Sequence, residues 1–419
     1  MSAFEYQSRV VDQELAALLG AAGAVLLEGP KACGKTVTAR QVAASEVLLD
    51  VDAGAREAAA VDPSLILEGA TPRLVDEWQL EPALWNHVRR TVDERGEPGQ
   101  FILTGSAAPA DDITRHTGAG RITRLRMRPM SLAESGHASG AISLARLLDG
   151  ERVRSPDPGL TVADLAARIS VGGWPSLLGR PVEQALRANR SYLDEIRRTD
   201  IVQVDGVRRD PDHVGRVLRS LARNLSTYAA ATTLAADAGG ADGPLDDDTV
   251  RDYLTALERL MVVEDQPAWA PHLRSRSRSR SGPKRQFVDP SLAVAALRAT
   301  PDRLMRDLNT LGFLFESLAV RDLRIHAQRA DAEVLQYRDN TGLEVDAVVE
   351  AADGRWAAFE IKLGLGQVDE GAAVLQRFAQ RVDTDRCGPP AALAVIVGVG
   401  YGYVREDGVA VIPVGALGP

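Results

Sequence analysis

Two groups of residues have types and spacings that could do chemistry, and the first is Gly29-Pro30-Lys31-Ala32-Cys33-Gly34-Lys35-Thr36, a G-x-x-x-x-G-K-T run. A short apolar stretch, residues 24–28, precedes it, and residues 37–43, free of Gly and Pro, follow it. Buried strand, loop and helix in that order is the setting in which such a run cradles phosphates. Gly29 and Gly34 would let backbone N–H groups turn inward, and the helix behind them would present its positive end to the anion. Lys35 would reach the β- and γ-phosphates of ATP, and Thr36 would offer its hydroxyl to Mg²⁺. A Gly-rich turn ahead of an ordinary helix is the plainer alternative. The strand, the helix and the acidic partners described next favour nucleotide binding.

Those partners are Asp76 and Glu77, which end the apolar run of residues 73–77. Asp76 is placed to hold Mg²⁺ through its water shell and Glu77 to polarise the attacking water; an in-line phosphoryl displacement needs both a clamp and an oriented nucleophile. Residues 101–106 read as a further strand ending in small polar groups, so Thr104 or Ser106 could sense the γ-phosphate. A strand-ending turn explains them equally. Residues 122–127 alternate like another strand. Arg115 and Arg121 precede it in a loop with Gly118 and Gly120. From there an arginine could reach the nucleotide of a neighbouring subunit, or simply be solvated.

The second group is Asp346, Glu360 and Lys362. Glu360 and Lys362 are two apart in a predicted strand and share a face. Ala352-Asp353-Gly354 suits a three-residue hairpin loop with Gly left-handed. That register pairs Ala351 with Arg355, sets Asp346 opposite Glu360, and brings two carboxylates and an ammonium to one patch. Glu316, on the preceding predicted helix, could add a third carboxylate. The plain alternative is an exposed strand face with a Glu–Lys pair.

These motifs carry two resemblances. The run from Gly29 to Thr36, then Leu-Val-Asp-Glu-Trp-Gln, Phe-Ile-Leu-Thr-Gly-Ser and Arg-Pro-Met-Ser-Leu-Ala-Glu-Ser-Gly, resembles a prokaryotic family of AAA-type ATPases that carry a C-terminal domain of unknown function. Gly172-Gly173-Trp174-Pro175 resembles the opening of the part that follows, so the likeness spans nearly the whole chain. It implies ATP binding and hydrolysis and little beyond. Asp346, Glu360 and Lys362 resemble the Asp…Glu-x-Lys signature of restriction-endonuclease-like nucleases. By that resemblance Asp346 and Glu360 would bind Mg²⁺, Lys362 would orient or activate water, and the chemistry would be phosphodiester hydrolysis. Such folds can persist without cleavage, which leaves an ATP-driven conformational switch with a silent C-terminal site as the alternative.

The elements that must position these groups divide the chain into three expected parts. They are an α/β AAA-type P-loop NTPase domain (1–135), a helical connector with a winged-helix-like segment (136–300) and an α/β nuclease-like domain (301–419). The connector shows helix candidates at 182–204, 211–228, 230–237 and 246–260, then a strand at 261–264, the outline of a winged helix. The last of these helices, in the recognition position, opens Asp246-Asp247-Asp248, which repels phosphate and favours packing or a protein partner. The 274–285 segment has the opposite sign: Arg274, Arg276, Arg278 and Arg280 alternate with serine, and Lys284 and Arg285 follow. Extended, it could contact a nucleic-acid backbone; an exposed mobile hairpin loop is the alternative.

Composition sets the bounds. At 419 residues the chain is too long for one ordinary core. A net charge of −9 gives no general attraction to nucleic acid, so any such contact must be local. Cys33 and Cys387 show no disulfide or zinc spacing, as expected for a reducing cytoplasm. No signal peptide is visible, and no run approaches the roughly 18 apolar residues of a membrane span. A homo-oligomer is compatible with the arginine-finger reading.

Overall fold

A computed structural model describes residues 6–105, 117–240, 243–271 and 282–419. Ser106, Arg115 and the alternating arginines of residues 274–280 lie outside the described residues.

In chain order the first third comprises α1 (Val11–Ala21), β1 (Ala24–Glu28), α2 (Lys35–Arg40), β2 (Ser45–Leu48), α3 (Ala53–Val61), β3 (Arg73–Asp76), α4 (Leu84–Arg95), β4 (Phe101–Gly105) and β5 (Ile122–Arg126). The five strands form one parallel sheet in the order β2-β3-β4-β1-β5. Its period-two side chains divide between two cores. Leu26, Val75 and Leu103 pack on one face with Leu84, Trp85 and Val88 of α4. Val25, Leu27 and Ile102 pack on the other with Val11, Leu15 and Leu19 of α1. Burial on both faces is why these strands read as unbroken apolar runs. Parallel strands also bring all their carboxyl ends to one edge, where the loop after β1, Asp76 and Thr104 meet.

The second part comprises β6 (Ile142–Ser143), α5 (Leu144–Leu148), α6 (Val162–Val171), α7 (Val182–Glu195), α8 (Ile201–Gln203), α9 (Pro211–Arg223), α10 (Ala231–Asp237), α11 (Asp247–Arg259) and α12 (Pro290–Leu297). A π-helical turn, Ile196–Asp200, interrupts the long helix expected over 182–204. The strand expected at 261–264 is not a regular strand. Isolated antiparallel bridges join Val263 to Phe287 and Gln266 to Lys284, making an irregular ribbon that ends beside the C-terminal sheet at an Ala268–Gln336 bridge.

The last part comprises α13 (Pro301–Met305), α14 (Leu308–Ala327), β7 (Ala332–Arg338), β8 (Glu344–Ala351), β9 (Trp356–Lys362), α15 (Val368–Arg381), α16 (Thr384–Cys387), β10 (Ala392–Val397), β11 (Tyr403–Val404), β12 (Ala410–Pro413) and β13 (Leu417–Gly418). A six-stranded mixed sheet runs β11-β12-β10-β9-β8-β7. β7, β8 and β9 are antiparallel neighbours, and β10 returns parallel to β9 across the α15 connection. α14 covers one face through Leu314, Phe315 and Leu318. α15 covers the other through Ala372, Leu375 and Phe378, against Trp269 and Trp356.

Residue 300, expected as a domain boundary, is not a boundary in packing. One apolar core runs from Leu132 to Leu417, and β13 pairs with β6. A buried ionic knot reinforces the join. Arg321 donates to Asp289 at 2.8 Å and to Asp322 at 2.7 Å, all three being essentially inaccessible. Asp289 also accepts from the Gly173 amide at 2.9 Å, and Asp322 from the Leu132 amide at 3.0 Å. Removing one partner of such a group strands a buried charge. Asp289→Ala is therefore expected to lower unfolding free energy by about 3–5 kcal/mol in urea titration. A loss no larger than that of a surface substitution would contradict this assignment.

Candidate nucleotide site and carboxylate centre

The loop after β1 folds as its glycines require. Gly34 has φ +107°, which favours glycine, and Ala32 has φ +62° within the same loop. Gly29 meets a second constraint: a Cβ there would run into the Met127 carbonyl oxygen just beyond β5. Lys35 is buried and its Nζ donates to the Gly29 and Pro30 carbonyls, both at 2.9 Å, so its ammonium lies within the loop. Thr36 Oγ1 donates to Asp76 Oδ1 at 2.9 Å, and the Thr104 hydroxyl donates to the same oxygen. Register explains this convergence, because Asp76 faces Thr104 across the β3–β4 pair. A hydroxyl beside a carboxylate is a set of hard oxygen donors, and these residues fit Mg²⁺. Glu77 follows with φ +54°, an uncommon conformation for a non-glycine residue, and accepts from the Gln79 side-chain amide.

The rest of the chain reaches this loop from two sides. Lys31 Nζ pairs with Asp200 at 2.6 Å, and the Tyr192 hydroxyl donates to the Lys31 carbonyl at 3.3 Å. Both partners come from α7 and the π turn that extends it. From behind, Arg9 donates to the Cys33 carbonyl at 3.0 Å and to the Arg128 carbonyl at 2.8 Å.

Arg121 lies elsewhere. Its carbonyl accepts from the Ala24 amide at the amino edge of the sheet, opposite the phosphate loop, and its guanidinium pairs with Asp93 at 2.8 Å. It is not part of this chain's own nucleotide pocket, because a residue that precedes a parallel strand belongs to the other edge.

In the C-terminal sheet, Gly354 is left-handed (φ +89°) and the Ala351 amide donates to the Arg355 carbonyl at 2.9 Å. The Ala347–Phe359 pairing, continued by one residue, sets Asp346 opposite Glu360. Lys362 Nζ lies 2.7 Å from Glu360 Oε2 and 3.7 Å from Asp346 Oδ2. The Ile361 amide donates to Asp346 Oδ2 at 2.9 Å. Glu316 of α14 joins the cluster. The fifth member comes from the ribbon: Lys284 Nζ donates to both Glu316 Oε1 and Asp346 Oδ1 at 2.8 Å. It also sits 5.7 Å from the centre of the Tyr228 ring.

Burial, with the neighbouring Asp346 charge, pushes Glu360 up to about 8 and Glu316 up to about 7. Burial works against the charge on Lys284, yet Asp346 and Glu316 hold it well above the usual lysine range. Burial likewise opposes the Asp346 carboxylate, but Lys284 and Lys362 draw it below its ordinary value.

Lys284 and Arg285 therefore do not form the free phosphate-contacting face that their sequence suggests. Lys284 is 3% exposed, and Arg285 is held by Asp265 and by the Ala229 carbonyl at 3.0 Å. A signal for Lys284 was present in the composition. The chain has four lysines, Lys31, Lys35, Lys284 and Lys362, against forty-five arginines. The ammonium is compact and the guanidinium is a broad plane, so lysine in so arginine-rich a chain marks places where a point charge must fit. Two of the four lie in the phosphate loop and two at the carboxylate centre. Among the described residues no group of three or more His, Cys, Asp or Glu side chains is arranged to hold a metal ion. Asp346 has one oxygen on Lys284 and the other on the Ile361 amide, so Mg²⁺ does not fit this centre while Lys284 is in place.

The family model for an AAA domain matches residues 21–136. Two models described as domains of unknown function, DUF8612 and DUF4143, match residues 162–303 and 311–417. Relatives include the uncharacterized protein Rv2008c of Mycobacterium tuberculosis and the uncharacterized protein Mb2031c of Mycobacterium bovis. Each is 28% identical over 348 residues, covering 81% of this chain and 70% of the relative. The AAA match suggests a P-loop ATPase, with ATP binding and hydrolysis. Among the described residues no helix is long and apolar enough to cross a membrane.

The Gly29–Met127 approach yields a direct test. In Gly29→Ala the loop must move off β5, and ATP turnover is expected to fall about 100-fold, the scale on which misplaced reacting groups lose rate. Wild-type turnover, measured by phosphate release, would contradict the packing described.

Proposed function

We propose that this chain is a Mg²⁺-dependent ATPase whose nucleotide state controls its C-terminal domain. The observation that carries the reading is the meeting of Thr36, Asp76 and Thr104 beside a loop that encloses the Lys35 ammonium. In this reading the loop amides and Lys35 hold the β- and γ-phosphates of ATP, and Thr36 and Asp76 hold the metal. Bound there, Mg²⁺ would supply a clamp on the phosphate oxygens. Glu77 orients the attacking water, and Thr104 fixes the Asp76 carboxylate and senses the γ-phosphate. The Lys31–Asp200 pair and the Tyr192 contact give the helical part a direct hold on the loop whose occupancy changes.

The C-terminal layout of helix, three antiparallel strands, helix and parallel strand supports a restriction-endonuclease-like reading. Asp346, Glu360 and Lys362 share one face of it. On that reading the domain acts on nucleic acid by phosphodiester hydrolysis. A specific observation favours a second reading, an ATP-driven switch or partner-binding protein with a silent centre. Lys284 already occupies the carboxylates, and the start of α11 offers exposed Asp246 and Asp248, where a protein partner fits better than a phosphate backbone. The α9–α10–α11 order followed by the ribbon supports a winged-helix-like module in that role.

Lys35→Ala is expected to abolish nucleotide binding in calorimetry. Glu77→Gln is expected to bind ATP but turn over about 100-fold more slowly; equal turnover would remove Glu77 from its role. Incubation of plasmid DNA and RNA with Mg²⁺ or Mn²⁺ separates the two readings. Cleavage by wild type that is lost in both Glu360→Ala and Lys362→Ala supports hydrolysis, and intact substrate throughout supports the switch.

A further inference from the structure

A buried carboxylate pair needs a counter-cation, and the kind of cation decides what the centre can do. Here it is covalently part of the chain. Lys284 Nζ bridges Asp346 and Glu316 at equal 2.8 Å distances, with the Tyr228 ring beside it. Its backbone is fixed as well: residues 266 and 284 exchange both amide hydrogen bonds, at 2.9 and 3.0 Å. The Gln266 side chain donates to the Leu335 and Asp346 carbonyls, both at 2.9 Å, which seats the ribbon against β7 and β8.

The other end of the ribbon answers to the ATPase half. The Glu264 carboxylate takes a bidentate grip from Arg128, with the closest contact at 2.6 Å. Arg324 of α14 steadies it through the Glu264 carbonyl at 2.8 Å. The Arg128 carbonyl accepts from Arg9, whose guanidinium also bonds the Cys33 carbonyl inside the phosphate loop. The line runs by hydrogen bonds from the phosphate loop through Arg9 and Arg128 to Glu264, along the chain to Gln266, and across to Lys284 and Asp346.

We propose that Lys284 is the resident cation of the carboxylate centre, seated where a divalent ion would lie between Asp346 and Glu316, and that the centre accepts a metal only when the ribbon withdraws this ammonium. Lys284 is thus a positioning and blocking residue, and the ribbon is the arm that carries it. The inference deepens the C-terminal reading given above and rests on it only in taking Asp346 as the metal-bearing carboxylate. It does not require cleavage.

The test is Mn²⁺ binding followed by electron paramagnetic resonance on the full chain carrying Asp76→Asn, which removes the metal position of the ATPase half. Adding Lys284→Met keeps an unbranched apolar stem, one atom shorter, and removes the charge. It is expected to create one Mn²⁺ site about tenfold or more tighter than any in the Lys284-containing protein, a difference of about 1.4 kcal/mol or more. Asp346→Asn is expected to abolish that site. Asp346-dependent Mn²⁺ binding of equal strength with Lys284 intact would overturn the proposal, as would a folded Lys284→Met chain that binds none. A measurement on the wild type needs no variant to fold. With four lysines, amine labelling read by mass spectrometry resolves each one. Lys31 is expected to react freely and Lys284 about 100-fold more slowly. Equal reactivity of the two would overturn the proposal. The metal readouts and the plasmid assay fail independently, since a blocked centre and an inactive one differ in whether Lys284→Met gains Mn²⁺.

Discussion

A carboxylate taken out of water must be matched by a cation or by several donors, and this chain meets that demand repeatedly at the places where its parts join. Asp289 and Asp322 share Arg321, Glu264 is gripped by Arg128, Asp200 receives Lys31, and Asp346 and Glu316 share Lys284. Apart from the adjacent Arg321 and Asp322, each pair links segments far apart in sequence. One apolar core already joins the helical part, the ribbon and the mixed sheet; these pairs reinforce that join and tie the parallel sheet to both.

The two chemical centres follow from that arrangement. At the first, a parallel sheet delivers a Gly-rich loop, an aspartate and a threonine to one edge, and the hydroxyls of Thr36 and Thr104 hold the Asp76 carboxylate in place. At the second, an antiparallel hairpin sets Asp346 against Glu360 and an extraneous lysine completes the charge. On the proposed reading the first would receive an anion and its metal. The second is already neutralised from within, and the ribbon that neutralises it is anchored to the half that would receive the nucleotide. Hydrogen-bond continuity identifies the ribbon as the element whose position both ends would have to bias.

Much of the local layout was legible in the sequence. The Gly29–Thr36 run, the Asp76–Glu77 strand end and the hairpin at Ala352–Gly354 all rest on short-range rules, in which a glycine conformation or a two-residue period fixes what lies next to what. The opposition of Asp346 and Glu360 follows from such rules. What sequence patterns could not show are relations set by tertiary packing. Arg121, which the sequence offered as an arginine that could reach a neighbouring subunit's nucleotide, stands at the start of β5 and so at the edge away from this chain's own phosphate loop. Lys284 looked like the tail of a solvated basic run, because charge patterning carries no information about a partner thirty-two residues away on another element. The π turn that brings Asp200 to Lys31 has no simple sequence mark, and the shared core across residue 300 is invisible to any local reading.

The central claim is that occupancy of the phosphate loop is felt at the ribbon that carries Lys284. Amide hydrogen exchange on the Glu77→Gln chain, with and without Mg·ATP, tests it most directly, because that chain would hold the nucleotide without consuming it. The account predicts that ATP changes exchange at residues 262–266 and 284–288 as well as at residues 29–36. Changes confined to the loop and its own parallel sheet, with the ribbon amides exchanging as they do in the absence of ATP, would contradict it.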